Sequence, residues 1–561
     1  MRELKVIFLG EPKAGKTSLL RRLEDNSFNE HEPQTDGIFI KALEFEQLPT
    51  FSAQKKLHGL VGYFWDFGGQ EIMNATHQFF LTERSVYVLL LNAREDKNVG
   101  QQIRQWLKRI QATGGTSSVI VAVNQIDLNN GFGFENEREL KREFPQIEAF
   151  IKISCKDKKH QGIEQLKNLL EQHICKTLAR FKTEIDERWL PLKTELQRVT
   201  KAKRYLNQKS FERICRKHQL FVGLEQQSLI RFLHDLGFVL HFSHIDLGYY
   251  SKKVNLDDYY VLDPSWITAG VYQILTSQYA AIENGEVCMS KLAYIVNKEA
   301  EKKAAYHISD SQRLTYNSVE RDFLVNILYK FKLCFYHSGG HKFIIPDLLT
   351  TKEPPPYDEI RNSRDSLQFI YHYPYLPKSV MPHIIVDMHE HLEEKWRTGC
   401  IFAYQNCRAL LYSYNDEIRI IVVSDTATNH VPKRSVMDMM RFVLGNINAK
   451  LAKQPEKQIP LFDENNVEVG RAKYKALLAL QKKGRKFYDF YNDFSSEMME
   501  FEISRLLEGI SSVKEINHDY RGLEDMRSIL RNQKKMANNQ ALLLRQQIIT
   551  SSNLYDLEKK L

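Results

Sequence analysis

Val6-Ile7-Phe8-Leu9-Gly10-Glu11-Pro12-Lys13-Ala14-Gly15-Lys16-Thr17-Ser18 is the stretch from which the fold can be read. Four apolar residues run into the spacing G-x-x-x-x-G-K-T, and Leu19, Leu20 and Leu23 continue it at helical period. A strand, a glycine-bounded loop opened by Gly10, and a helix, in that order, make a phosphate-binding P-loop. Backbone N–H groups from Lys13 and Ala14 through Gly15 to Ser18 curl around an anion, and the helix N-terminus adds partial positive charge. Lys16 is placed to cap the β- and γ-phosphates of a nucleotide. Thr17 offers its hydroxyl to Mg²⁺, a hard cation that takes oxygen ligands. Pro12 has no N–H to contribute, so its fixed φ stiffens the loop instead.

Outward from the loop, residues 26–33 are polar, and Gln34-Thr35-Asp36-Gly37-Ile38 follows. Strands are expected at 38–45 and 62–65, the second ending in Trp65-Asp66-Phe67-Gly68-Gly69-Gln70-Glu71. An aspartate at a strand end beside a P-loop suits a water-mediated Mg²⁺ contact, which assigns Asp66 to the metal with Thr17 and Thr35. Gly69 can donate its N–H to a γ-phosphate, and Gln70 can orient an attacking water. Thr35 is placed to close over the γ-phosphate and the metal. Two Val/Ile/Leu-rich strands at 86–92 and 119–123 read as buried parallel strands. The second runs into Asn124-Gln125-Ile126-Asp127. A carboxylate at Asp127 accepts from guanine N1–H and N2–H₂, a donor pair adenine lacks, while Asn124 addresses the other edge. A sixth strand at 150–153 leads to Ser154-Cys155-Lys156, whose N–H groups can meet guanine O6, and a helix at 162–181 closes the unit.

Bulk properties set limits. At 561 residues the chain has room for about three or four domains. With 43% hydrophobic and 27% charged residues it reads as folded rather than disordered. A net charge of +9, from 79 basic and 70 acidic residues, is a mild bias that argues for neither nucleic acid nor anionic lipid. Seven cysteines without a C-x-x-C pair suggest neither a disulfide framework nor a zinc site, so reduced thiols in a cytoplasmic setting are expected. No apolar leader or run of membrane-spanning length is seen, so no integral membrane segment is expected.

The five nucleotide motifs, in order over residues 1–178, resemble a Ras-like small GTPase. One position departs: Gln125 stands where that family usually has the lysine of N-K-x-D. Loss of the lysine stem over the base implies weak, fast-exchanging nucleotide.

Beyond residue 180 the chain turns helical and basic, including Thr200-Lys201-Ala202-Lys203-Arg204, which reads as a solvated helix face. Helices near 210–217 and 224–236, with strand pairs such as 331–337 and 342–346, suggest a winged-helix-like module. Glu353-Pro354-Pro355-Pro356 reads as a linker, because three prolines exclude helix and sheet interior. Strands at 367–371, 400–405, 408–412 and 417–423 are expected to form an antiparallel set, with helices at 383–394 and 435–444. His389 and His391 lie two apart and share no helix face, which disfavours a metal site there.

Leu262-Asp263-Pro264-Ser265-Trp266-Ile267 with Val271-Tyr272, then Tyr375-Leu376-Pro377 and Trp396-Arg397-Thr398-Gly399, resemble the COR region of Roco proteins. Val469-Gly470-Arg471-Ala472-Lys473-Tyr474-Lys475-Ala476-Leu477-Leu478, with Gly484, is similar to the tail after COR in bacterial members. The resemblance implies a multidomain α/β chain. Its parts are a Ras-like Roc domain with a six-stranded, mostly parallel sheet (1–178), a winged-helix-like α+β COR-A (179–352) and a Pro-rich linker (353–366). An α+β COR-B (367–510) and a helical C-terminal segment (511–561) complete it. It also implies GTP hydrolysis with Mg²⁺, homodimerisation through COR, and a nucleotide cycle coupled to the dimer. No leucine-rich repeat and no kinase signature is found.

A catalytic arginine cannot be singled out; Arg84, Arg94 and several COR arginines are candidates. Two alternatives stand beside the GTPase switch: a nucleotide-binding scaffold with negligible turnover, and a STAND-like ATPase or winged-helix nucleic-acid binder, against which Asn124 and Asp127 argue.

Overall fold

The computed structural model describes residues 2–32, 38–44, 60–68, 80–94, 99–129, 131–134, 136–157, 161–180, 188–221, 224–242, 256–299, 315–337, 340–374, 376–404, 406–424, 430–451, 455–492, 497–508 and 510. Thr35, Gly69, Gln70 and the C-terminal segment 511–561 lie outside the described residues. The described residues divide into two compact units, one drawn from 1–354, 374–400 and 449–454, the other from 355–373, 401–448 and 455–561.

The first unit begins with a six-stranded sheet: β1 (Arg2–Leu9), β2 (Ile38–Glu44), β3 (Leu60–Phe67), β4 (Ser85–Asn92), β5 (Val119–Asn124) and β6 (Ile147–Lys152). The spatial order is β2-β3-β1-β4-β5-β6. Only β2 runs antiparallel to its neighbour; the other pairings are parallel. Helices α1 (Lys16–Glu24), α2 (Val99–Gly114) and α3 (Glu137–Glu143) lie between the strands, and α4 (Gln161–Arg180) follows β6. A parallel sheet covered on both faces requires strands apolar at every position. The strands oblige: Val6, Phe8, Val88, Leu90 and Ile120 pack on one side with Leu19, Leu23 and Leu170. Ile7, Leu9, Trp65, Leu89 and Val121 pack on the other with Trp106 and Ile110. Alternate residues of each strand therefore feed opposite cores.

The second apolar face does not end at the sheet. Its cluster continues into Trp266, Val271, Leu324 and Phe343, which follow in sequence far beyond the strands. Between them comes α5 (Trp189–Thr200), β7 (Tyr205–Asn207), α6 (Gln208–Lys217), α7 (Leu224–Asp235), β8 (Leu240–His241) and β9 (Tyr259–Val261). The small sheet has the order β7-β9-β8 and is antiparallel. Helix, strand, two helices and two strands is the order of a winged helix, with its own core of Trp189, Leu192, Phe211, Leu229 and Leu236.

That places the module earlier than expected from sequence. The strands Phe335–His337 and Lys342–Ile344 do pair with each other, but in a separate three-stranded sheet in which Lys342–Ile344 lies between Phe335–His337 and Glu286–Cys288. The Asp263-Pro264 dipeptide starts the helix Pro264–Leu275: Asp263 caps the N–H groups of Ser265 and Trp266, and proline needs no donor at the first position.

In the second unit the strands lie in the order Gly399–Tyr404, Cys407–Tyr414, Glu417–Ser424, Ser366–His372, Glu456–Phe462, Glu468–Lys473. The antiparallel set expected from sequence is present. Two expectations need correction. Pro356 opens a helix, Pro356–Arg361, with Pro355 at its cap, so the run of prolines does not exclude helix. Proline costs little in a first turn, where its missing N–H would have no partner. The helix expected over 383–394 ends at Asp387, and residues 392–396 are strand.

Candidate functional site

The carboxyl ends of parallel strands converge where strand order reverses, and that crevice is where ligands sit in such sheets. Here the reversal lies at β1, flanked by β3 and β4. The loop after β1 carries residues 10–15, β3 carries Asp66 level with Phe8, β5 ends in Asn124 level with Asn92, and Ser154 follows β6. A cleft of about 420 Å³ opens there, lined among others by Lys13, Gly15, Lys16, Thr17, Ser18, Asn124, Asp127, Cys155 and Lys156. Gly10 and Ala14 adjoin it in the loop. A larger groove of about 720 Å³, lined by Glu3, Glu24, Glu44, Tyr63 and Lys193, holds none of the motif residues. The chemistry lies in the smaller one.

Both motif glycines are required by geometry. Gly10 has φ +142° and a Cβ there would stand 2.1 Å from the Leu90 carbonyl oxygen. Gly15, at φ +89°, caps α1, and its N-terminal turn faces the cleft. Lys16 is buried, and its Nζ donates to the carbonyl oxygens of Gly10 at 2.8 Å and Glu11 at 3.0 Å. Burial holds its pKa below the usual lysine range, while Asp66 and Glu11 pull it back up. Thr17 Oγ1 donates to Asp66 Oδ2 at 2.5 Å. A hydroxyl and a carboxylate side by side are the hard oxygen donors that Mg²⁺ takes, so the donor set fits that ion.

On the far side, Ser154 Oγ donates to Asp127 Oδ1 at 2.6 Å. Asn124 is a strap: its Nδ2 donates to Ala14 O at 3.0 Å and its Oδ1 accepts from Cys155 N at 3.0 Å. The sequence reading aimed Asn124 at the edge of a base; in the structure its amide joins the phosphate loop to the 154–156 loop. Gln125 does similar work, its Nε2 donating to Lys13 O at 2.9 Å. Gln125 and Lys13 both have φ 63°, so two left-handed residues meet there. Burial pushes the Cys155 thiol up to about 12, which keeps it protonated.

Arg84 is removed from the list of arginines near the site. It is buried under α7, its guanidinium 4.7 Å from the Phe232 ring, and it does not line the cleft. Arg94 does line it. Phe28 and Leu128, which sequence reasoning passed over, also line it. Phe28 is the only Phe, Tyr or Trp of the polar stretch 26–33, a signal that was available.

The family model described as "Ras of Complex, Roc, domain of DAPkinase" matches residues 5–127, COR-A matches 186–349 and COR-B matches 364–509. A solved structure, that of Methanosarcina barkeri Roco2 RocCORdC bound to GDP, is 35% identical with a TM-score of 0.51, covering 62% of this chain and 96% of that one. The chain belongs to the Roco family. Among its relatives are a Runella zeae Roc-COR-CHAT protease and the probable serine/threonine-protein kinase pats1 of Dictyostelium discoideum. Each is 25% identical and covers 72% of this Roco chain. The chain spans 41% of the first and 13% of the second. No described helix is long and apolar enough to cross a membrane.

Proposed function

We propose that this Roco chain binds GTP and GDP in the 420 Å³ cleft, hydrolyses GTP, and acts as a switch coupled to homodimerisation through COR. One observation carries the reading: a P-loop and an aspartate–serine pair stand on opposite sides of one cleft, tied together by Asn124. GDP in the Methanosarcina barkeri relative supports it.

In this reading Lys16 exchanges its two loop carbonyls for the β- and γ-phosphates, and the N–H groups of residues 13–18 hold the remaining oxygens. Thr17 and Thr35 would hold Mg²⁺, with Asp66 supporting it through water, and the bound ion would supply neutralisation of phosphate charge. Gly69 donates to the γ-phosphate and Gln70 orients water for attack. Asp127 reads the guanine N1–H and 2-amino group, and the loop of Ser154, Cys155 and Lys156 reads O6. The division at 1–178, 179–352, 353–366, 367–510 and 511–561, and a cytoplasmic setting without nucleic acid, belong to the same proposal.

Without an arginine aimed at the γ-phosphate, turnover is slower by about 10³–10⁵ than in a completed site. Single-turnover phosphate release tests hydrolysis: wild type releases phosphate slowly and Gln70→Leu far more slowly still. Equal rates remove Gln70 from the mechanism, and no release in either leaves a nucleotide-binding scaffold. Light scattering on GDP-bound, GTP-analogue-bound and empty protein tests the dimer.

A further inference from the structure

Arg22 is a charged residue on the apolar face of α1, only 1% exposed. A buried guanidinium is costly unless its N–H groups are all met. Here Nε donates to Cys155 O at 2.6 Å and Nη2 to Lys156 O at 3.1 Å. Nη1 donates to Asn26 O at 2.7 Å and to Asn26 Oδ1 at 3.2 Å. The guanidinium centre lies 5.8 Å from the Phe28 ring. One side chain thus grips two separate segments, and Phe28, Cys155 and Lys156 all line the cleft.

The peptide plane turns this grip into recognition. In a trans peptide the carbonyl and the next N–H point in opposite directions. Fixing Cys155 O on Arg22 therefore fixes the Lys156 N–H away from α1. The Cys155 N–H is engaged by Asn124 Oδ1, so Lys156 supplies the donor that the loop offers a ligand. A planar fork presents its donors in a fixed geometry that sets the direction of the carbonyls it holds; a lysine ammonium can reach two carbonyls but is a rotatable point charge, and a glutamine amide offers fewer donors.

We propose that Arg22 is a positioning residue for purine recognition: it orients the Lys156 N–H toward a 6-oxo group. The inference rests on the nucleotide reading above and assigns its purine specificity to a residue that touches no nucleotide.

Full-length wild type, Arg22→Gln and Arg22→Lys are compared for GDP, IDP and ADP by competition against a fluorescent GDP, with thermal midpoints recorded. IDP keeps the 6-oxo group and lacks the 2-amino group; ADP lacks both. Arg22→Gln weakens GDP and IDP by the same factor, about tenfold for loss of an oriented hydrogen bond, and leaves ADP unchanged, so the GDP-to-ADP ratio collapses by that factor. Arg22→Lys, which keeps the charge and fewer of the bonds, falls between. A ratio unchanged in both variants, or ADP weakened in parallel with GDP, overturns the proposal and makes Arg22 structural. Wild type that takes up no GDP overturns the nucleotide reading itself, which is a different result.

Discussion

The amide nitrogen of Asn124 lies so close to Gly15 that a Cβ on the glycine would stand 2.2 Å from it. The amide cannot step aside, because Ala14 O and Cys155 N hold it from both ends. Gly15→Ala therefore meets a fixed obstacle at φ +89°, which a side chain tolerates poorly. Left-handed strain of about 1–2 kcal/mol and disruption of buried hydrogen bonds at about 1–3 kcal/mol combine to a loss of GDP affinity on the order of 100-fold. Calorimetric titration checks this; affinity within threefold of wild type contradicts it.

Gln125 keeps the tie to the phosphate loop that its Nε2 makes with Lys13 O, but brings no long stem or charge to the cleft. Wild-type protein is expected to release GDP quickly. Gln125→Lys should slow release by about tenfold, roughly one hydrogen-bond equivalent, read by displacement of a fluorescent GDP in stopped flow. Slow release from wild type would mean that other contacts hold the base.

Gly237, in the turn after α7, sits against the ring of Trp65 at φ +71°, and a Cβ there would lie 2.1 Å from a ring carbon. Trp65 immediately precedes Asp66 on β3. Gly237→Ala is predicted to destabilise by about 1–3 kcal/mol through overpacking and to slow phosphate release, because the fully buried indole it displaces is carried by β3 next to Asp66. Thermal melts and single-turnover assays on the same preparation check both effects. Lost stability with unchanged hydrolysis would confine the contact to packing.

His234 is held well below the usual histidine range, at about 4, first by burial and then by Lys5, His241 and Lys330. Its Nδ1 accepts the His241 backbone N–H at 3.3 Å, a bond only the neutral ring can make. Between pH 6.5 and 4 the unfolded chain binds this proton and the folded chain does not, so stability falls as pH drops through that window. The slope is at most about 1.4 kcal/mol per pH unit for one proton. Comparing melting points of wild type and His234→Gln from pH 7 to 4.5 isolates it: the gap should change in the variant's favour on acidification. Parallel curves would place the titration elsewhere.

Residues 6–18 made the sheet and its ligand crevice legible, because the strand–loop–helix order admits few backbones: β1 ends at Leu9 and α1 begins at Lys16. Asp66 and Thr17, 49 positions apart, stand within hydrogen-bond distance. Other features were not legible. Arg84 looked available for catalysis, and only the packing of α7 shows it buried. Pro356 looked like a helix breaker because composition does not reveal that it stands in a first turn. Residues 335–344 formed a plausible wing, yet the winged helix is completed by β8 and β9, whose two and three residues are too short for a period to register. Arg22 drew no notice in the sequence, because its partners lie on two loops, one of them more than 130 residues away.

The most direct test of the central claim is equilibrium binding of GTP, ATP and XTP, each with Mg²⁺, to wild type and Asp127→Asn. Wild type should hold GTP and leave ATP and XTP in solution, and Asp127→Asn should exchange that preference for XTP, since the amide replaces one carboxylate acceptor with an N–H donor that faces the guanine donors unfavourably and donates to the 2-oxo group of xanthine. ATP retained as readily as GTP, or no nucleotide retained at all, would contradict the account.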